Sequence, residues 1–217
     1  MHENYSTTSS PRMPRSLPGF EDVKRYWDKT NDIFSAKILP GEFYVTANDE
    51  LITTVLGSCV SVCIRDRIFG IGGMNHFMLP HDNSGTGSWV ASDNVSVSTR
   101  YGTYAMEHMI NEILKNGGNR KNFEVKVFGG GRILANMTDV GIKNINFIHH
   151  FLQTECLDIL SEDVGDIYPR KVVFFPKTGK ARVKKLKSLH NDTIIKREEA
   201  YIHDIDTQPI TGEVELF

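Results

Sequence analysis

The sequence predicts one mixed α/β domain in which strands outnumber helices. Three features predict it: short β-prone runs separated by turn residues, one segment that is apolar or small at nearly every position, and two segments with apolar side chains at helical spacing. The 217 residues are 40% hydrophobic and 24% charged, which is ordinary for a soluble protein and sufficient for one well-filled core. We therefore expect one domain with flanking tails.

The first half of the domain is predicted to consist of strands. Three short β-prone runs, punctuated by Pro-Gly and Asn-Asp turns, open the folded part: residues 36–39, 42–46 and 51–56. The run Cys59–Ile64 is almost wholly apolar or small, which predicts a strand buried on both faces, and residues 67–75 are its expected hairpin partner. Residues 1–35 are rich in Ser, Thr, Asn and Pro without a sustained period, and we predict a mobile N-terminal arm.

The second half is predicted to combine helices and strands. Residues 100–116 repeat apolar side chains at helical spacing and stop at Gly117-Gly118, and residues 144–155 form a second such pattern. Three alternating or apolar runs predict the remaining strands: residues 123–128, 171–175 and 180–186. Residues 36–188 then form the domain. Residues 189–217 mix charges of both signs with few apolar side chains, which predicts a solvated, polar C-terminal tail.

Composition excludes several classes of protein. The formal net charge of −2 gives no overall field that would attract nucleic acid. The apolar runs are far shorter than the roughly 20 residues of a membrane-spanning helix, and the N-terminus lacks the apolar core of a signal peptide, so we expect no membrane insertion and a cytoplasmic location. Three cysteines without framework spacing argue against a disulfide-bonded secreted domain. Cys59 and Cys63 have no second pair at zinc spacing, and we predict no metal site.

Cys59 and His76 are the strongest candidates for chemistry. Cys59 follows Gly57-Ser58, where glycine lets the chain bend and turn the next amides toward a reacting carbonyl, so Gly57 and Ser58 are candidate oxyanion donors. A free thiol with a pKa of about 8.5 is only slightly ionised at neutral pH, and an adjacent imidazole can hold the thiolate. The competing interpretation is structural, because buried cysteines and hydrogen-bonded core histidines are common without a catalytic role.

A threonine before Cys59 completes the pattern. Its hydroxyl can accept a hydrogen bond from the second ring nitrogen of His76 and so set the tautomer of the base. Thr53 and Thr54 are the candidates, and nothing local separates them, since either is also an ordinary β-branched strand residue. A thiol nucleophile, its base and an orienting hydroxyl together predict acyl transfer.

Several segments, in order and at matching spacing, resemble the chemoreceptor glutamine deamidase (CheD) family. These segments are Thr53–Asp66, Gly73–Pro80, Arg100-Tyr101-Gly102 with Ala105-Met106-Glu107, and residues 126–131, 141–144 and 168–172. The resemblance covers residues 36–188. It implies an α/β sandwich with a mixed sheet, similar to the bacterial toxin deamidases. It also implies a catalytic triad of Cys59, His76 and Thr53, and no cofactor.

The resemblance also implies a function, that of a cytoplasmic enzyme of bacterial chemotaxis. Its substrates would be methyl-accepting chemoreceptors, whose glutamines become glutamates through a thioester on Cys59, and the same chemistry can hydrolyse receptor methyl esters. Some relatives bind the phosphatase CheC, which is the second partner implied, and recruitment to receptor arrays would follow. Two alternatives stay open. One is a non-catalytic adaptor that binds receptor or CheC through the tails and the basic residues 177–187, and the other is a papain-like peptidase, whose flanking signatures are missing.

Overall fold

The computed structural model describes residues 11–80, 97–133, 140–187 and 192–207. Within those ranges the chain forms two five-stranded sheets and three α-helices. The strands are β1 (Lys24–Asp28), β2 (Ile33–Lys37), β3 (Phe43–Thr46), β4 (Glu50–Leu56), β5 (Val60–Asp66), β6 (Gly72–Asn75), β7 (Phe123–Gly129), β8 (Ile159–Val164), β9 (Arg170–Phe175) and β10 (Lys180–Lys185). The helices are α1 (Val97–Lys115), α2 (Val140–Thr154) and α3 (Asp192–Thr207), and a short 3₁₀ helix, Arg120–Asn122, precedes β7. The predicted mixed α/β sandwich is confirmed.

The first sheet has the strand order β1-β2-β4-β9-β10. Strands β2 and β4 are parallel, and the other neighbours are antiparallel. Strand β4 lies in the middle, and all its residues except Val55 are buried. Because β4 ends inside the protein, the residues that follow it, 57–59, lie in the interior and not on the surface.

The second sheet has the order β3-β6-β5-β7-β8, in which only β7 and β8 are parallel. Its central strand β5 is buried at every position except Arg65, as expected for a strand covered on both faces. Helix α1 packs on β3 and β6, and helix α2 packs on β5. One continuous apolar core includes side chains of both sheets and of these two helices.

Helix α1 shows how local chemistry sets an element. Its apolar face is buried through Met106, Met109 and Ile113, which recur at helical spacing. It stops where Gly117 adopts a φ of +99°, a conformation that glycine accepts without strain. The amide of Gly118 then donates to the carbonyl of Ile113 at 2.9 Å, which satisfies a carbonyl at the helix end. The predicted helix and its stop are confirmed.

Residues 24–35 and 192–207 are more ordered than the sequence predicts. The first sheet starts at Lys24, so residues 24–35 are not part of a mobile arm. The rings of Trp27 and Phe34 pack edge to face at 4.8 Å between β1 and β2, which explains why these short strands are stable there. At the other end, α3 packs on the domain instead of forming a solvated tail. No helix within the described ranges is long and apolar enough to cross a membrane.

Candidate active site

Cys59 lies in the tight connection between β4 and β5. The Cys59 and Gly57 carbonyls accept hydrogen bonds from the amides of Gly130 and Gly131, both at 2.8 Å. Gly129 has a φ of +113°, and a Cβ there would lie 2.2 Å from the Cys59 carbonyl oxygen, so this position requires glycine. The three glycines at the end of β7, residues 129–131, thus pack directly against the loop of residues 57–59, which we call the cysteine loop, and hold its backbone in place.

His76 follows β6 and is held beside the cysteine loop by backbone hydrogen bonds. The next residue, Phe77, pairs with Val60 through two hydrogen bonds of 2.9 and 3.0 Å. The amide of His76 donates to the Glu42 carbonyl at 2.9 Å, and its own carbonyl accepts from Gly41 at 2.8 Å. Since Val60 directly follows Cys59, this pairing places the imidazole next to the thiol, as the sequence motif suggested.

Asn144 of α2 ties the cysteine loop to the segment that carries His76. Its amide group donates to the Ser58 carbonyl at 2.8 Å and its oxygen accepts from the Leu79 amide at 2.9 Å. The side chain is fully buried, so both backbone groups depend on it for a partner. The sequence predicts only that Asn144 lies in a helix. The signal that could have indicated a positioning role is that this polar residue falls on the face of α2 formed by apolar residues.

Thr54 determines which nitrogen of His76 is free to act. Its hydroxyl donates to the Ile38 carbonyl at 2.8 Å and lies 2.7 Å from Nδ1 of His76. A hydroxyl has one proton to donate, so Nδ1 must be the donor to Thr54. The hydrogen-bond network therefore assigns the proton to Nδ1 and leaves the lone pair on Nε2, a fully buried atom that has no hydrogen-bond partner among the described residues.

Thr53, which the family resemblance implies as the orienting residue, is not hydrogen-bonded to the imidazole in this structure. Its hydroxyl donates to the Val172 carbonyl in β9 at 2.9 Å. Neighbouring side chains of a strand point to opposite faces of the sheet, so only one of the two threonines can face His76. The hydroxyl that does so belongs to Thr54.

The carboxylate of Glu198, in α3, accepts hydrogen bonds from the cysteine loop, and the sequence analysis did not predict Glu198 as a site residue. Its Oε1 accepts from the Gly57 amide at 2.7 Å, and its Oε2 accepts from the amide and the hydroxyl of Ser58 at 2.8 and 2.6 Å. The Cys59 amide is 3.5 Å from Oε1. The two predicted oxyanion donors thus point at a carboxylate. A weak signal was present, because Ile194, Glu198 and Ile202 share one face of a potential helix.

The site is buried and holds three reactive groups close together. A ring nitrogen of His76, Sγ of Cys59 and a carboxylate oxygen of Glu198 lie within 4.8 Å of one another. Burial, followed by the negative charge of Glu198, raises the pKa of the Cys59 thiol well above its ordinary value. Cysteine, histidine and glutamate are also residue types that bind zinc. Here the carboxylate oxygens of Glu198 accept hydrogen bonds from the loop amides.

A cavity of about 280 Å³ borders His76 on the side of α1. It is lined by Gly41, Glu42, Phe43, Asn75, His76, Phe77, Tyr101, Tyr104, Ala105 and His108. The lining combines aromatic rings with polar side chains, among them Glu42, Asn75 and His108. The cavity therefore leaves open space beside the imidazole, although Cys59 is not among its lining residues.

The buried imidazole predicts a loss of stability in acid. Burial, followed by the positive charge of Arg197, lowers the pKa of His76 from 6.5 to about 3. Between these values the unfolded chain holds one proton more than the folded protein, so the free energy of unfolding should fall by about 1.4 kcal/mol per pH unit as the pH decreases. Denaturant unfolding from neutral pH downward measures this slope. The His76→Gln variant should show a flatter profile, and equal slopes in the two proteins would contradict the assignment.

Comparison with known proteins agrees with these features. Residues 78–185 match the family model described as CheD chemotactic sensory transduction. A protein of Halorhodospira halophila named "Probable chemoreceptor glutamine deamidase CheD" is 54% identical over 205 residues, which are 94% of this chain and 94% of that protein. Proteins of the same name are 52% identical in Hahella chejuensis, over 94% of this chain and 95% of that protein, and 44% identical in Saccharophagus degradans, over 100% of both.

These relatives match the chain nearly end to end, and the match to the Saccharophagus degradans protein spans all of it. Identity of this level over the whole length indicates a common fold and a common ancestor. The chain therefore belongs to the CheD family.

Proposed function

We propose that the protein is a glutamine deamidase of bacterial chemotaxis, which converts specific glutamines of methyl-accepting chemoreceptors to glutamates. One observation carries the proposal: a glutamate carboxylate, that of Glu198, binds the amides of Gly57 and Ser58 beside the Cys59 thiol. A glutamate side chain is the product of glutamine deamidation, so the site accommodates the product group next to the nucleophile. The names of the relatives support chemoreceptors as the substrate.

The first half of the reaction transfers the acyl group to Cys59. Nε2 of His76 takes the thiol proton, and the sulfur attacks the carboxamide carbon, whose C=O electron pair moves onto the oxygen. The amides of Gly57 and Ser58 donate to this oxyanion, as they do to the carboxylate of Glu198. Because Nδ1–H donates to Thr54, the imidazolium is stabilised while it carries the proton.

The second half releases the product. His76 gives its proton to the nitrogen, the C–N bond breaks, and ammonia leaves a thioester on Cys59. His76 then takes a proton from a water molecule, which attacks the thioester carbon, and the sulfur leaves as the thiolate and is reprotonated. The sum is one carboxamide and one water giving one carboxylic acid and one ammonia. A receptor methyl ester presents the same carbon and would release methanol, so the proposal includes methylesterase activity as a side reaction.

The proposed substrate also sets the proposed location and partners. An enzyme that modifies chemoreceptors in the cytoplasm works at the receptor arrays. A CheC-type phosphatase, which the family resemblance implies as a second partner, would bind over the cysteine loop as a substrate mimic. None of this chemistry calls for a cofactor, because the thiol, the imidazole and the loop amides supply every proton and charge that the steps need.

The test is a deamidation assay on a cytoplasmic fragment of a chemoreceptor. Purified protein and fragment are incubated, and peptide mass spectrometry follows each glutamine for the mass gain of exchanging NH₂ for OH, with ammonia release measured in parallel. Fragment incubated alone gives the spontaneous rate. We expect specific glutamines to change, with one ammonia released for each. A fragment that binds tightly while all its glutamines persist would instead identify a non-catalytic adaptor.

A further inference from the structure

Helix α3 binds the domain through one face with a glutamate at its centre. Its buried residues are Ile194, Glu198 and Ile202, each one helical turn from the next. An apolar stripe alone would suffice to attach an amphipathic helix, and a buried carboxylate is costly unless donors surround it. Glu198 is fully buried and receives donors from the cysteine loop. The position of α3 is therefore specified by the active site.

Further contacts seat α3 on both sides of the cysteine loop. Arg197 donates to the Val55 carbonyl in β4 at 2.6 Å, and the hydroxyl of Tyr201 hydrogen-bonds to that of Tyr101 in α1. The Tyr201 ring also lies against Gly41, where an added Cβ would come within 3.1 Å of it. These contacts span β4, α1 and the turn before β3. Helix α3 thus lies in a groove whose floor is the candidate active site.

The seated helix blocks the chemistry beneath it. The amides that would bind the oxyanion are occupied by Glu198, and Cys59 has no exposed surface. The negative charge of Glu198 also disfavours the thiolate, which is the nucleophilic form. A substrate side chain can reach Cys59 only if Glu198 leaves.

We propose that α3 is an intramolecular inhibitor, which holds Glu198 in the place of the reaction product, and that its groove is where a substrate helix binds. The inference rests on the proposed function, since the Glu198 carboxylate resembles a reaction product only if the enzyme converts glutamine to glutamate. Because α3 fills the groove, its buried face describes the substrate that would replace it. Ile194 and Ile202 lie one turn on either side of Glu198, so the substrate is a helix with one glutamine and an apolar side chain one turn before and one turn after it. A receptor segment of this kind competes with α3 for the groove.

The first test is the Glu198→Gln variant, in which α3 carries a carboxamide, the substrate group, in place of the carboxylate. A carboxamide in this seat lies where the thiol can attack it, so we expect Gln at position 198 of the full chain to convert to Glu. Cleavage after Lys196 gives a peptide in which mass spectrometry detects the change. Adding Cys59→Ala should preserve the glutamine. In Glu199→Gln, the neighbouring and exposed position of the same helix, the new glutamine should also persist.

A second variant measures inhibition itself. Glu198→Ala removes the hydrogen bonds to the cysteine loop, and each hydrogen bond to a charged group is worth about tenfold or more, so deamidation of the receptor fragment should rise by at least about tenfold over wild type. Glu199→Ala should leave the rate unchanged.

The outcomes separate this inference from the proposed function. Suppose that the receptor fragment is deamidated. If the glutamine at position 198 then persists, or if the Glu198→Ala rate equals that of wild type, α3 is not an inhibitor, while the proposed deamidase function stands. If neither position 198 nor any receptor glutamine changes in any variant, both proposals fail. Conversion at position 198 that depends on Cys59 supports both.

Discussion

Replacing Cys59 by alanine is expected to abolish deamidation while leaving the fold intact. Alanine keeps a small apolar side chain in a fully buried position, so the core loses little, but the proposed thioester requires the sulfur of Cys59. Loss of a covalent nucleophile lowers kcat by a factor on the order of a thousand or more. The measurement is ammonia release from a chemoreceptor fragment, with the unfolding midpoint measured on the same sample.

Cys63→Ala is the matched control for this experiment. Cys63 lies in the same chain segment, in β5, is equally buried, and has its thiol pKa raised by burial. Its sulfur takes no part in the proposed mechanism, so the activity of this variant should stay within a few-fold of wild type. Its free energy of unfolding should fall by about 1 kcal/mol, as in Cys59→Ala. Activity that survives in Cys59→Ala, or that disappears equally in both variants, would contradict the assignment of the nucleophile.

The second large effect is expected at Thr54. Thr54→Val keeps the shape of the side chain but removes the hydroxyl, so Nδ1 of His76 and the Ile38 carbonyl lose their buried partner. The base is then free to adopt the other tautomer, with its proton on Nε2, where it cannot take the thiol proton. A lost buried partner costs about 1–3 kcal/mol, which corresponds to a decrease in kcat of about 5- to 150-fold with little change in KM.

Two further variants separate orientation from simple loss of stability. Thr54→Ser retains the hydroxyl and should recover most of kcat. Thr53→Val loses only the hydrogen bond to the Val172 carbonyl, so we expect a stability loss of about 1 kcal/mol and nearly normal kcat. A greater kcat loss in Thr53→Val than in Thr54→Val would favour the triad that the family resemblance implies, and would mean that the imidazole changes partner when α3 leaves.

Some elements were predictable because their signals are local. The helical spacing of α1 and its two-glycine stop depend only on neighbouring residues, and so does the apolar run of β5. The edge strands β1 and β8 carry no comparable pattern, since most of their residues are exposed or half-buried and charged side chains interrupt them. Their formation depends on pairing with β2 and β7, which are already anchored in the core.

By itself, the sequence determined the family, the mixed α/β architecture and the candidate pair of Cys59 and His76, because these rest on motifs and on periodicities within short segments. Only the tertiary structure decided which threonine faces the imidazole, since adjacent strand residues point to opposite faces and the packing of the two sheets selects one of them. It also brought Glu198 onto Gly57 across a separation of 141 residues. No local pattern encodes such a contact, because it exists only once α3 has docked on the folded domain.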